Sequence, residues 1–196
     1  TKQYKIAIYY QKDAFGQSGL MGIKNALSNQ KTTPATIVSY PRGKSFHDDF
    51  TDDAKRLLQH EPNAIICISS YEASAGIIKA IRQTHTIPIA TISFSDPNSV
   101  LKKLNNNPKL MQHLIYSQVV PEKAKINDLS DYTTITKQPF NPIRYEGYLN
   151  TIKLSQLLTT HSLNDLKHHQ ISIENELNQQ HTVTLLKATT TGWEPL

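Results

Sequence analysis

A single cysteine, Cys67, occurs in 196 residues, so no disulfide can form within the chain. With only 7 glycines and 10 prolines, beside 38% hydrophobic residues, the composition reads as that of an ordinary soluble protein. No apolar run approaches the about 20 residues that a membrane-spanning helix needs, and the first residues lack the basic-then-apolar pattern of an export signal. Acidic residues are the scarcer sign, 16 against 21 basic ones, for a net charge of +5. The basic residues are scattered: only Lys102-Lys103 and Lys123/Lys125 lie close together, and no aromatic residues are interleaved as stacking platforms. That pattern describes a solvated basic surface and gives no nucleic-acid track. Cys67 sits in the apolar run Ala64-Ile-Ile-Cys-Ile68 and reads as a buried, inert thiol.

What is present is an alternation of apolar, β-rich runs with helical patterns, the mark of a parallel sheet covered by helices. Residues 4 to 27 read as a buried strand, a short polar turn (Gln11 to Gln17) and a helix with Leu20, Ile23 and Leu27 on one face. Further strands are predicted near Ala35 to Ser39, Ala64 to Ser69, Ile87 to Phe94 and Leu114 to Val120, after a first at Lys5 to Tyr10. Phe50, Ala54, Leu57 and Leu58 predict a second helix, and Ala73, Ile77, Ile78 and Ile81 a third. The fold class is therefore α/β, a doubly wound parallel sheet, with an α/β lobe over residues 1–121.

Beyond Pro121 the character changes. Residues 122–144 are polar and read as a connection with little core of its own, carrying one short helix near Lys125 to Tyr132. In the C-terminal segment, 145–196, the residues Tyr145, Tyr148, Leu149, Ile152, Leu154, Leu157 and Leu158 give a helix of about fifteen residues a broad apolar face that must be buried. A short helix is expected at Leu163 to His168. His181 to Leu186 alternates like a strand, and Thr191-Gly192-Trp193 would turn it back into a hairpin.

Enzyme and metal motifs are weak. Gly16, Gly19 and Gly22 are spaced GxxGxxG, which is not the dinucleotide pattern, and are better explained by a tight turn and close helix–sheet packing. Gly43-Lys44-Ser45 ends like a phosphate-binding loop, yet Val38 stands where its first glycine belongs. His85, His113, His168, His169 and His181 have no second ligand at a zinc-site spacing. Asp48, Asp49, Asp52 and Asp53 precede Lys55 and Arg56, an order that complements a helix dipole and lacks the glycine and terminal Glu of a calcium loop. No serine lies in a nucleophile elbow, so no nucleophile and base can be named, and the sequence predicts neither an enzyme nor a cofactor.

The strand ends converge better than any enzyme motif. The first supplies Asp13 and Phe15, the third Ser70, Tyr71 and Glu72, and the fourth Ser95 and Asp96. Aromatic faces, hydroxyls and carboxylates around one crevice suit a polar small molecule that is held unchanged. Helix caps and turns are an equal explanation for any one of these residues.

Asp13-Ala-Phe-Gly-Gln-Ser-Gly after Ile-Ala-Ile-Tyr-Tyr, and Ser70-Tyr-Glu-Ala73 after Ala-Ile-Ile-Cys-Ile, resemble the second lobe of type I periplasmic solute-binding proteins of the branched-chain amino-acid/amide class. Ser117 to Pro121 resembles the segment leaving that lobe, and Tyr145-Glu-Gly-Tyr148 the start of the helix returning to the first. Thr182 to Leu186 with Gly192-Trp193 resembles the closing hairpin. The resemblance implies a receptor outside the cytoplasm, periplasmic in location, that closes over an amino-acid-like solute and delivers it to an ABC transporter permease or reports it to a signalling protein. It implies a ligand-stacking role for Phe15, a cleft-facing Tyr71, and an acid near Ser95 or Asp96 for a substrate amine. The family's first lobe has no counterpart before residue 4. The expectation is thus that residues 145–158 pack on the second lobe, on a missing first lobe or on a second copy of the chain. An interaction or sensor module that kept the scaffold and lost solute binding is the alternative.

Overall fold

The strands β1 (Ile6–Gln11), β2 (Thr36–Tyr40), β3 (Ala64–Ile68), β4 (Ile89–Thr91), β5 (Leu114–Gln118), β6 (Thr184–Thr189) and β7 (Gly192–Pro195) form one seven-stranded sheet in that computed structural model, in the order β2-β1-β3-β4-β5-β6-β7. The structure describes residues 5–118, 129–137, 144, 145, 147–149, 151, 152, 155 and 183–196. The first five strands are paired in parallel and the last two form an antiparallel hairpin. Helices α1 (Ala14–Asn29), α2 (Thr51–Leu58), α3 (Tyr71–Ile81), α4 (Pro97–Lys103), α5 (Pro108–Met111) and α6 (Leu129–Thr136) complete the described elements. The chain divides into two units, Thr1–Ser117 with Leu185–Leu196, and Gln118–Thr184.

In the first unit the core follows from strands buried on both faces. Ala7, Ile8 and Tyr9 of β1 and Ile65, Cys67 and Ile68 of β3 are wholly buried, as central strands of a sheet covered on two sides must be. Burial pushes the Cys67 thiol up to about 12, so it stays protonated and inert. Helix α3 is apolar almost all round and buried along most of its length. Phe50, just before α2, lies so close to α3 that a Cβ on Gly76 would fall 2.1 Å from its ring, so the closeness of the two helices requires glycine there.

Four predicted strands lie within two residues of those observed. The fourth is shorter than its predicted span of 87 to 94: it starts after Pro88, which lacks an N–H, and ends where Ser93–Ser95 winds into a 3-10 turn. Helices α4 and α5 were not predicted, although each begins with a proline in its first turn, after Asp96 and Asn107. The hairpin turns at Thr190-Thr191, and Trp193 packs on Tyr116 of β5 with ring centroids 5.5 Å apart. Gly19 does hold helix to sheet, a Cβ there meeting Ile68 at 2.7 Å, whereas Gly22 faces open space.

In the second unit, α6 lies within residues 122–144, which the sequence reads as a connection with little core, and it contributes one core side chain. Tyr132 is wholly buried and meets Tyr145 and Tyr148 edge-on, each at 5.4 Å. Such edge-to-face pairs add to area burial. Arg144, Tyr145, Gly147, Tyr148, Leu149, Thr151, Ile152 and Ser155 are helical, in keeping with the prediction for the described residues of that segment. Leu154, Leu157, Leu158 and the helix expected at Leu163 to His168 lie outside the described residues.

At the amino-terminal edge of the sheet a half-buried cation braces the entries to β4 and β5. Arg82, at the end of α3, donates to the carbonyls of His85 (3.3 Å), Ile87 (2.9 Å) and Gln112 (2.6 Å), tying together the loops that enter β4 and β5. Desolvation lowers its pKa, and the described contacts include no carboxylate for it. Arg82→Met keeps the aliphatic stem and removes these bonds; urea denaturation is expected to register a loss on the order of 3 kcal/mol. An unchanged midpoint would show that the three carbonyls are satisfied without Arg82.

Candidate functional site

From β1 the chain moves to β2 on one side, and β3 then pairs on the other, so the connections after β1 and β3 part in opposite directions. At such a reversal the carboxyl ends of the strands open a crevice where α/β proteins place ligands. The loop after β1 is fixed by Asp13. Its Oδ1 accepts the Gly16 N–H at 3.0 Å, capping α1, and its Oδ2 accepts from the Gln11 side-chain amide. The Gly16 bond, with the Gln11 bond and Arg42 assisting, holds the Asp13 carboxyl below its usual range. Gly16 allows this closeness, since a Cβ would fall 1.8 Å from the Gln11 carbonyl oxygen.

The network continues across the reversal. The Tyr40 hydroxyl at the end of β2 donates to Gln11 Oε1 (3.3 Å) and accepts from the Ser70 N–H (3.1 Å). Burial pushes the Tyr40 hydroxyl up to about 12, so it keeps the proton it donates. Ser70 in turn caps α3 by accepting the Ala73 N–H at 3.3 Å. Two capped helix N-termini, those of α1 and α3, are thus linked through one hydroxyl.

The predicted site residues fall into distinct roles. Phe15 is half-buried, its ring 4.3 Å from that of Phe94 and tilted by 40°. Tyr71, 38% exposed, lines an open depression of about 600 Å³ with Phe46, His47, Ser99, Lys102 and Lys103. Glu72 is bound on both oxygens, to Lys103 Nζ at 2.7 Å and the Phe46 N–H at 2.9 Å, so it braces this rim. Ser95 departs from the expectation of a ligand contact: it is wholly buried, and its hydroxyl donates to the Ser69 carbonyl at 2.8 Å. Asp96 accepts from the Ser99 hydroxyl at 2.7 Å and holds a positive φ of 38°. A second depression, of about 550 Å³, lies at the opposite, amino edge near Lys5, Lys31, Pro34 and His60, away from all of these residues.

Three participants escaped the sequence reading. The sequence pattern places Gln11 in the turn after the first strand, leaves Tyr40 just beyond the second and ends the fourth at Phe94, so none of the three is read as a site residue. An aromatic between two small polar residues, Ser93-Phe-Ser95, was the available signal for the last. Among the described residues no group of three or more His, Cys, Asp or Glu side chains could hold a metal ion.

The Lys103 bond to Glu72, aided by the Phe46 N–H, lowers the Glu72 pKa below its ordinary 4.5, and that of Asp13 lies below 3.8. Depressed carboxylates stabilise the fold above their unfolded values and lose that contribution as pH falls through the folded ones. Stability measured by denaturant titration is therefore expected to fall as the pH drops below 4.5, and Glu72→Gln to flatten part of that fall. An identical pH profile for the variant would remove Glu72 from the network.

No family model and no curated protein sequence matches the chain. Solved structures do. A substrate-binding periplasmic protein from Ralstonia solanacearum matches with a TM-score of 0.71 at 15% identity, over 98% of this chain and 62% of its own. A branched chain amino acid ABC transporter protein from Thermus thermophilus with bound valine matches at 0.67 and 11%, over 100% and 60%. A leucine binding protein from Thermotoga maritima matches at 0.68 and 13%, over 98% and 59%. The chain spans about three-fifths of the length of these structures. Its α/β architecture is thus the fold of type I periplasmic binding proteins, represented here by one lobe and an additional C-terminal segment.

Proposed function

We propose that the chain is a solute-binding receptor lobe that holds a small amino-acid-like molecule without converting it, for uptake of the ABC type. The observation that carries this reading is the carboxyl edge at the strand reversal, where capped helices α1 and α3 are joined through Tyr40 and flanked by exposed rings. The fold shared with proteins described as binding leucine or carrying valine supports the solute class. Site residues in this reading are Asp13, Phe15, Ser70, Tyr71 and Asp96, with Glu72 and Ser95 as braces. Receptors of this kind work outside the cytoplasm and present their solute to a permease or a signalling protein. A first lobe, or a second copy of the chain, would supply the other wall of the cleft and cover residues 145–158.

One wall makes about half the contacts of a closed cleft, so binding to the chain alone should fall near the millimolar range, about −4 kcal/mol. Isothermal titration and thermal shift against amino acids, amides and short peptides are expected to find at least one solute that raises the melting temperature. No response from any of them would sink the proposal for this chain.

A further inference from the structure

Phe94 is 59% exposed, unusual for a phenylalanine in a segment so firmly held. Both of its neighbours are anchored. The Ser93 carbonyl accepts the Tyr116 hydroxyl at 2.8 Å, and Ser95, wholly buried, bonds through its hydroxyl to the Ser69 carbonyl at 2.8 Å and through its N–H to the Ile92 carbonyl at 2.9 Å. The following residue, Asp96, has φ 38° and ψ 93°, a backbone conformation that costs energy for a residue with a side chain. The turn therefore holds the ring outward by bonds on either side and by strain just after it. The ring it displays lies 4.3 Å from that of Phe15, which α1 carries in its first turn beyond the Asp13 cap.

The carboxylates nearby are engaged. Asp13 caps α1 and takes the Gln11 amide, Glu72 is bound on both oxygens, and Asp96 accepts from Ser99. The free face at the end of β4 is aromatic.

We infer that Phe94 and Phe15 form an aromatic plate that selects solutes carrying a planar apolar group, so that the chain prefers ring-bearing solutes to aliphatic amino acids. The inference rests on the solute-binding reading above and narrows its ligand class. A flat ring can stack on or meet the edge of such a pair with the geometry aromatic groups favour, whereas a branched aliphatic chain gains only area burial.

Titration calorimetry of the 196-residue chain with benzoate, phenylacetate, L-phenylalanine, L-leucine and L-valine tests this. The three ring-bearing solutes are expected to bind about tenfold more tightly than the two aliphatic ones. Phe94→Ala should weaken the ring-bearing set by a similar factor and the aliphatic pair by clearly less, since these lose area burial alone, while Phe94→Tyr retains binding of the ring-bearing set. The far-ultraviolet circular dichroism should stay unchanged in both variants, and the melting temperature should fall only slightly for Phe94→Ala, which gives up the contact with Phe15. Leucine or valine binding as tightly as the ring-bearing solutes, or Phe94→Ala weakening every solute equally or none, would overturn the aromatic preference and leave solute binding intact. No binding by any of the five would overturn the aromatic preference, while solute binding itself stands or falls on the wider panel of amino acids, amides and short peptides.

Discussion

The hydroxyl of Tyr40 ties together the ends of three strands. It accepts from the Ser70 backbone beyond β3 and donates to Gln11 at the end of β1, while its own ring stacks on Tyr9 with centroids 4.7 Å apart. A phenol can do both because it is donor and acceptor at once, and burial keeps it protonated. Through Gln11 the chain of bonds reaches Asp13 and the Gly16 N–H, so the starts of α1 and α3 are set by one connected network. Networks of this kind rigidify a site when every member is satisfied. The rim of the crevice between β1 and β3 is thus fixed by the fold itself.

The same aromatic pair continues inward. Tyr9 donates to Asp53 Oδ2 at 2.8 Å, and Lys44 lies 2.7 Å from the same oxygen and 4.3 Å above the Phe50 ring. Asp53 therefore does more than complement the dipole of α2: it anchors the β2–α2 connection to the central strand. Phe50, packed against Gly76 of α3, extends that link to the helix whose N-terminus carries Ser70 and Tyr71. From Tyr9 to Tyr71 the path runs through side chains that are mostly buried, which is how a sheet core can fix a surface site.

Much of the architecture was legible in the sequence because β-rich runs such as Ile6 to Tyr10 and Ala64 to Ile68 are apolar along their whole length, as strands covered on both faces must be. Helices α4 and α5 were not, being too short for a periodic pattern to emerge. The core role of Tyr132 was hidden because aromatic packing depends on partners that a polar local sequence does not announce. At the site, Asp13 and Ser70 were legible as residues at strand ends, and they do cap helices. Their linkage through Tyr40 was not, since 29 residues separate Tyr40 from Gln11. Ser95 looked available by composition, but local patterning does not reveal that its hydroxyl points inward to Ser69.

The central claim is that the carboxyl edge of the sheet binds the solute. Two-dimensional amide NMR of the chain titrated with L-phenylalanine locates the contact directly. The account predicts shifts concentrated in residues 12–16, 69–72 and 93–97. Shifts concentrated instead around Lys31 to Pro34 and Gln59 to Glu61, at the amino-edge depression, would contradict it.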